Sequence, residues 1–282
     1  MITLNSQNGN CPTRDVRRTS AKRVRRTSAG YNAPMLRGLI FDLGSTLLYT
    51  AHDHNWGVVL PRMRQDLLAH LQAAGYALDA AAFLNLLSAK YTEFDSQRQT
   101  DWAEYTMAWI LTSALAELGA PPPSPRLLAE ALCAYYAYSE SLWSPMPGVH
   151  ETLQQLQAEG LRLAIISNAS DDANVQRLID NAHLRGYFDP IIVSAAVGIR
   201  KPNPKIFDWV LGPWGLKPAE CVMIGDTLGA DILGAQLAGL RQVWLTAQAD
   251  HPANHAHRGH ILPEAEAASL LELPALIRQW MN

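Results

Sequence analysis

The sequence has few cysteines, a modest number of charged residues and no long hydrophobic segment. Its three cysteines, Cys11, Cys133 and Cys221, have the spacing of neither a disulfide framework nor a metal site. A reducing, cytoplasmic setting is therefore expected. No apolar run approaches the roughly 18 residues that a membrane-spanning helix needs, so no membrane partner is expected. The 48% hydrophobic and 17% charged residues are typical of a globular protein.

Acidic residues are almost absent from residues 1–34, which hold seven Lys or Arg residues and one Asp. This segment repeats VRRTSA at 16–21 and 24–29 and has almost no large apolar residues, so it cannot offset the entropy of ordering. We predict either a disordered basic tail or a translation start that was assigned too far upstream, with Met35 as the true beginning. A transit peptide and a basic arm that a kinase targets are the alternatives. The remaining chain then carries a net charge of -9, which argues against nucleic acid as a partner.

Short continuous apolar segments recur through the rest of the chain, and each ends at a polar or glycine-rich turn. Segments of this length indicate strands that are buried on both faces, as in a parallel sheet. Helical patterns separate them from the second segment onward, which predicts a doubly wound, mostly parallel α/β sheet. The predicted strands are 36–42, 161–167, 190–194, 221–226 and 242–246, and the predicted helices between them are 149–159, 172–184 and 229–239.

The stretch from residue 49 to residue 146 contains no convincing strand. Asp101 with Glu104 three residues later predicts a capping box that opens a helix ending at Gly119. Because a block of this length is too long for a loop, we predict an all-helical domain inserted after the first strand. Further helices are expected to end at Gly75 and to begin after Ser124, which precedes Pro125. The core domain is then expected to comprise 35–48 and 147–282, and the inserted helical domain 49–146.

Polar side chains follow the predicted strands, at the edge where ligand crevices form in open α/β sheets. They are Asp42 after the first strand, Ser167 and Asn168 after the second, Lys201 after the third, and Asp226 and Asp231 after the fourth. Three carboxylates are costly together unless a cation joins them. Hard oxygen ligands suit Mg²⁺, which also binds substrate phosphate. A carboxylate nucleophile, a metal and a lysine together indicate phosphoryl transfer through an aspartyl-phosphate.

These four stretches in this order resemble the haloacid dehalogenase-like (HAD) hydrolase superfamily, and PGVHETLQQLQAEG, SNAS, RKPNPKIF and GDTLGADILGAQLAGL are typical of its phosphatase branch. The resemblance covers 36–47 and about 147–280 and implies a Rossmann-like core with 49–146 as a helical cap. It implies the following roles: Asp42 as nucleophile, Ser167 and Lys201 as catalytic residues that hold the phosphoryl group, Thr46 and Asn168 as substrate-binding residues, and Asp42, Gly44, Asp226 and Asp231 as the Mg²⁺ site. The expected partner is a small phosphate ester, in a monomer or a homodimer.

The sequence departs from the family pattern at Gly44, where most phosphatases of the family carry a second Asp. In those phosphatases that Asp protonates the leaving oxygen and then deprotonates the attacking water. Glycine has no side chain that could perform either proton transfer. The loss of this general acid–base catalysis is expected to lower the reaction rate by about 10²–10⁴-fold. The resemblance implies that the metal site survives, because this position ligates Mg²⁺ through its backbone carbonyl.

Three explanations of Gly44 compete. Another group could supply the proton, such as His52, Asp53 or His54 in the loop after the first strand, although a polar hinge explains them as well. The reaction could instead be that of a 2-haloacid dehalogenase, or of a phosphonatase-like relative that uses a lysine such as Lys90. The protein could also be a non-catalytic phosphometabolite-binding pseudo-enzyme, but Asp42 and Lys201 are both present. We therefore expect a specialised phosphatase first.

One histidine-rich stretch, HPANHAHRGH at 251–260, invites interpretation as a metal site. It follows the last predicted strand and contains proline and glycine. Because histidine-rich composition is only a hint of metal binding, we predict an exposed, flexible loop.

Overall fold

The computed structural model describes residues 35–50 and 55–281, and a six-stranded parallel sheet lies at its centre. The predicted basic tail and residues His52, Asp53 and His54 lie outside the described residues. The five predicted strands are confirmed, and a sixth short strand, which the sequence analysis missed, follows them near the C-terminus. The strands of this sheet are β1 (Gly38–Phe41), β4 (Arg162–Ser167), β5 (Ile191–Val193), β6 (Cys221–Gly225), β7 (Arg241–Leu245) and β8 (Ala265–Ala267).

The strand order is β5-β4-β1-β6-β7-β8, and all neighbouring strands are parallel. The chain moves from β1 to one edge through β4 and β5, and then returns to the other side of β1 with β6. This reversal makes β1 the switch point of the sheet, so a crevice opens at its carboxyl end. Along β1, Leu39 and Phe41 face one buried cluster and Ile40 faces the other, which explains why the strand is apolar at every position.

Helices cover both faces of the sheet, as a doubly wound fold requires. The predicted helices that flank β4 are confirmed, and the Asp171 side chain caps the second of them by accepting a hydrogen bond from Asn174 N at 2.7 Å. The helices around the sheet are α5 (Val149–Ala158), α6 (Asp172–Asn181), α7 (Ser194–Val197), α8 (Asp208–Trp214), α9 (Leu233–Ala238), α10 (Pro252–His255) and α11 (Leu273–Met281).

The segment predicted as one helix over 229–239 differs in its first part. Leu228–Ile232 forms a π-helical turn, and regular α-helix begins only at Leu233. A π turn holds one more residue than an α turn and therefore rotates the face that follows it. The apolar spacing of 229–239 predicts that Ile232, Leu233 and Leu237 point inward. Ile232 is buried, but Leu237 is 51% exposed, so that prediction is wrong for Leu237.

Between β1 and β4 the chain forms a helical block with its own buried apolar cluster. Its helices are α1 (Trp56–Ala73), α2 (Ala80–Asp101), α3 (Met107–Glu117) and α4 (Pro125–Glu140). The helix after Ser124 is confirmed, since the Ser124 hydroxyl accepts a hydrogen bond from Leu127 N. A two-stranded antiparallel ribbon, β2 (Leu48–Thr50) and β3 (Trp143–Pro145), joins this block to the core and was not predicted. None of the helices in the described ranges is long and apolar enough to cross a membrane.

The predicted capping box at Asp101 is wrong. Asp101 is the last residue of α2, the left-handed Trp102 ends that helix, and α3 begins after Thr106. Glu104 is instead a buried ion: its carboxylate lies 3.3 Å from Arg98 Nη1 and accepts a hydrogen bond from the Ser194 hydroxyl at 2.7 Å. Its backbone N–H donates to Gly198 O of the sheet domain. Glu104 therefore ties the helical block to the core.

Replacing Glu104 with alanine is expected to lower the free energy of unfolding by about 3–5 kcal/mol, because it removes the carboxylate shared by two arginines that are largely buried. Asp95→Ala is the matched control. Asp95 also pairs with Arg98, at 3.4 Å, but its side chain is 48% exposed; its loss should cost less than about 1 kcal/mol. Urea denaturation of both variants measures the difference, and equal losses would contradict this account.

Candidate active site

Asp42 directly follows β1 and is largely buried at the carboxyl end of the sheet. Its backbone N–H donates to Ile224 O of β6 at 2.9 Å, which continues the sheet register to this residue. The chain then reverses through Ser45, which has a left-handed φ of 58°. Leu47 N and Leu48 N both donate to Leu43 O, so a tight turn follows the carboxylate. This turn places Gly44 and Ser45 beside Asp42 in the wall of one cavity.

Lys201 lies between two of the carboxylates and is only 2% exposed. Its ammonium lies 2.7 Å from Asp42 Oδ1 and 2.7 Å from Asp231 Oδ1, and it donates to Ile166 O at the same distance. Asn168 fixes the backbone at this point, because its amide oxygen accepts from Lys201 N and its amide nitrogen donates to Lys201 O, both at 2.9 Å. The predicted substrate-binding residue Asn168 therefore also positions the lysine.

Asp226 and Asp231 come from the loop and π turn that follow β6. The Asp231 carboxylate accepts a hydrogen bond from Thr227 N at 2.9 Å and returns toward the strand end. Gly225 makes this fold-back possible, since a Cβ atom there would overlap the Asp231 carboxylate. The predicted residues at the ends of β1 and β6 are thus brought together around Lys201.

Burial and the charges of neighbouring groups shift the pKa values of Asp42, Asp226 and Lys201. Burial raises the pKa of Asp42 to about 6, with a further increase from Asp231 and an opposing effect of Lys201. Burial also raises the pKa of Asp226 to about 8, assisted by the negative charges of Asp42 and Asp231. Burial alone would lower the pKa of Lys201, but the carboxylates of Asp231 and Asp42 more than compensate and raise it. The site therefore holds more negative charge than one ammonium neutralises.

These carboxylates fit a divalent cation. Oxygen atoms of Asp42, Asp226 and Asp231 lie within 4.8 Å of one another. Asp226 accepts a hydrogen bond from Thr227 Oγ1 at 3.4 Å, and none of the Lys or Arg residues within 35–50 and 55–281 forms an ion pair with it. A set of hard oxygen donors with one unneutralised carboxylate is the donor set that Mg²⁺ prefers.

A cavity of about 380 Å³ opens above these groups. Ser167, at the end of β4, lines it together with Asp42, Lys201, Asp226 and Asp231. Thr46 differs from Asn168, the other predicted substrate-binding residue. It is fully buried, its hydroxyl has no hydrogen-bond partner among the residues that the structure describes, and it does not line the cavity.

The wall beside Gly44 is apolar. Trp143 of β3 lines the cavity there, and a Cβ atom added to Gly44 would lie 3.5 Å from Trp143 Cη2. The position where the family pattern has a second acid therefore faces an indole ring. Sequence reasoning missed Trp143, because nothing local links it to a residue 99 positions earlier.

His251 is a second cavity residue that sequence reasoning missed, because the histidine-rich stretch was predicted to be a flexible exposed loop. The stretch is exposed at most positions, as predicted, and His251 is among them, but its first part is not a loop: Pro252–His255 forms the short helix α10, and His251 caps this helix and lines the cavity. Asn254 anchors α10 to the segment that follows β6. Its side-chain oxygen accepts a hydrogen bond from Leu228 N at 2.8 Å, and its side-chain nitrogen donates one to Asp226 O at 3.0 Å. The His251 ring nitrogen Nδ1 accepts from Ala253 N, so Nε2 carries the hydrogen.

Lys90, the lysine considered for a Schiff base, lies away from the cavity. Its ammonium pairs with Glu117 at 2.7 Å within the helical block, and it is not one of the residues that line the carboxylate cavity. This placement disfavours the phosphonatase-like alternative.

The fold and the site together define a class: an α/β enzyme whose parallel sheet presents buried carboxylates and a lysine at its switch point. Within that class, the chain belongs to the haloacid dehalogenase-like hydrolases, because the sequence pattern of this family matches residues 36–239. The suspected resemblance and the predicted fold class are confirmed.

Individual relatives agree with this assignment. Phosphoserine phosphatase of Thermus thermophilus is 33% identical over 57% of this chain, and the match spans 63% of that relative's length. Glyceraldehyde 3-phosphate phosphatase of Pyrococcus furiosus is 31% identical over 74% of this chain and 80% of its own. Among solved structures, a 2-haloacid dehalogenase from Pseudomonas syringae pv. Tomato DC3000 is similar over 87% of this chain and 100% of its own, with a TM-score of 0.63 and 25% identity.

Proposed function

We propose that this hydrolase is a Mg²⁺-dependent phosphatase of small phosphorylated metabolites that works through an aspartyl-phosphate on Asp42. The observation that carries the proposal is the buried contact of Asp42 with Lys201 at 2.7 Å, beside two further carboxylates. Relatives named as phosphatases support it. In this proposal residues 35–48 and 147–282 form the core domain and residues 49–146 form a cap over it.

In the first step a carboxylate oxygen of Asp42 attacks phosphorus, and the bond between phosphorus and the ester oxygen breaks. Lys201 holds Oδ1 of Asp42 and so orients the carboxylate. The ammonium of Lys201 and the hydroxyl of Ser167 donate hydrogen bonds to the phosphoryl oxygens, where negative charge accumulates. Asp42, Asp226, Asp231 and the Gly44 carbonyl would hold Mg²⁺, which neutralises phosphoryl charge when bound.

In the second step a water molecule attacks phosphorus, and the bond between phosphorus and Asp42 breaks. Inorganic phosphate leaves and the Asp42 carboxylate is restored. Gly44 has no side chain to protonate the leaving oxygen or to take the proton of this water, so both proton transfers depend on solvent or on the substrate. The site therefore favours esters with good leaving groups.

The test is the turnover of p-nitrophenyl phosphate by the full chain, after removal of metal with EDTA and after addition of excess Mg²⁺. Because the leaving group is good, the absence of an acid at position 44 should matter little. We expect activity with Mg²⁺ and loss of at least about 10²-fold without it, because phosphoryl transfer depends on charge neutralisation. Activity that is the same with and without metal would contradict the proposal.

A 2-haloacid dehalogenase is the second candidate, and Gly44 together with the similar dehalogenase structure favours it. Asp42 would then attack carbon and displace a halide. Chloride release from 2-chloropropionate, without metal, is its measurement. Asp226 weighs against it, because it is buried without an ion pair to any Lys or Arg that the structure describes, and a metal-independent displacement has no use for this carboxylate. A binding role ranks third because both Asp42 and Lys201 are retained.

Cytoplasmic location and a monomeric or homodimeric state stay predictions.

A further inference from the structure

A second cavity adjoins the one that contains Asp42. Its volume is about 480 Å³, and it lies between the core and the end of α2. Residues lining both cavities include Asn168, Arg200 and Lys201. A molecule held at the carboxylate site by its phosphate can therefore extend past Lys201 into this second space.

The two cavities differ in charge. Asp42, Asp226 and Asp231 line the first. The guanidinium groups of Arg98 and Arg200 and the ammonium of Lys201 line the second, together with the ring of His257, and of the residues described by the structure no Asp or Glu does so. Positive groups gathered in a concave space without carboxylates bind anions.

The two arginines are incompletely paired. Arg98 is 6% exposed, and its Nε and Nη2 atoms have no hydrogen-bond partner within 35–50 and 55–281, although Nε lies 3.4 Å from Asp95 Oδ1. The Arg200 side chain is 21% exposed, and its nearest ion pair within the described chain is with Glu104 at 3.7 Å, beyond hydrogen-bond distance. Glu104 is shared by Arg98, Arg200 and the Ser194 hydroxyl, and Asp95, which is half-exposed, forms an ion pair with Arg98 and none with Arg200 within the described chain, so the Arg200 guanidinium has no carboxylate of its own there.

We propose that the second cavity is an anion subsite centred on Arg200, and that the physiological substrate is a phosphate ester whose alcohol part carries a second anionic group, a carboxylate or a second phosphate. Arg200 directly precedes Lys201, so one short segment would present a cation to each anion. The bound anion would occupy the hydrogen-bonding positions that Arg200 leaves open. This inference rests on the proposed phosphatase function and adds the class of substrate.

The experiment compares matched pairs of esters that differ only in the second anion: 2-phosphoglycolate with 2-hydroxyethyl phosphate, and 3-phosphoglycerate with glycerol 1-phosphate. Wild-type protein with Mg²⁺ should prefer the anionic member of at least one pair by about tenfold to hundredfold in kcat/KM, as a hydrogen bond to a charged group allows. Arg200→Gln should remove most of this preference, and Arg200→Lys should restore part of it. Lys205→Gln, which removes an exposed cation outside both cavities, should keep the wild-type preference.

Isothermal titration of the same esters, in an Asp42→Asn background with and without Arg200→Gln, separates this inference from the proposed function. If the protein hydrolyses no ester but still binds the anionic members more tightly through Arg200, the phosphatase proposal fails and the subsite stands. Phosphatase activity without any preference for the anionic member in either pair would overturn the subsite. A preference that Arg200→Gln and Lys205→Gln leave equally intact would also overturn it, as would one that both remove.

Discussion

Asp42→Asn should reduce the turnover of p-nitrophenyl phosphate by at least about 10⁴-fold, because an amide cannot attack phosphorus as a carboxylate does. The change keeps the shape of the side chain. Lys201 can still donate to the amide oxygen, so the loss should appear in kcat rather than through collapse of the site. Since Asp42 lies close to two other carboxylates, removing its charge also relieves repulsion, and the variant should be at least as stable as wild type.

Two measurements make this expectation specific. Acid quenching during turnover, followed by mass spectrometry, should show a phosphoryl group on the wild-type peptide that contains Asp42 and none on the variant. Asp250→Asn is the matched control: Asp250 lies near His251 in sequence but is exposed and pairs with Arg258, so its loss should change turnover by less than about twofold. Retention of more than about a hundredth of wild-type turnover in Asp42→Asn would exclude Asp42 as the nucleophile.

The sheet and the ends of its strands were predictable because burial on both faces leaves a continuous apolar run, and the first polar residue after such a run marks the strand end. Asp42, Ser167 and Asp226 follow this rule. Lys201 was expected at the same edge because it follows the third predicted strand, but its contact with two carboxylates required the folded chain. These are features in which local sequence and tertiary structure agree.

The missed features depend on contacts between distant segments. Asp101 and Glu104 have the spacing of a capping box. In the folded chain, however, Glu104 forms ion pairs with Arg98 and Arg200, and these contacts override the local preference for a helix start. The anchoring of α10 through Asn254 likewise depends on the loop after β6, which is more than 20 residues away. Composition alone could not distinguish this anchored turn from a mobile histidine-rich loop.

Gly44→Asp should raise kcat for 2-hydroxyethyl phosphate by about 10²–10⁴-fold, because it supplies the acid and base that the site lacks. The structure has room for the change. The Cβ atom would lie 3.5 Å from Trp143 Cη2, an ordinary contact, and the backbone at Gly44 is not in a left-handed conformation. The new carboxylate would lie in the wall of the cavity that contains Asp42.

The size of the gain should depend on the leaving group. An alkoxide needs a proton as it departs, whereas p-nitrophenolate does not, so the gain for p-nitrophenyl phosphate should be at least about tenfold smaller. Gly44→Asn has the same size without a transferable proton and should give no comparable gain. Equal acceleration by Asn and Asp, or equal gains on both esters, would show that the new side chain acts by packing against Trp143. No gain on either ester would mean that another group already transfers the proton, and His251, which lines the same cavity, would then be the first residue to replace.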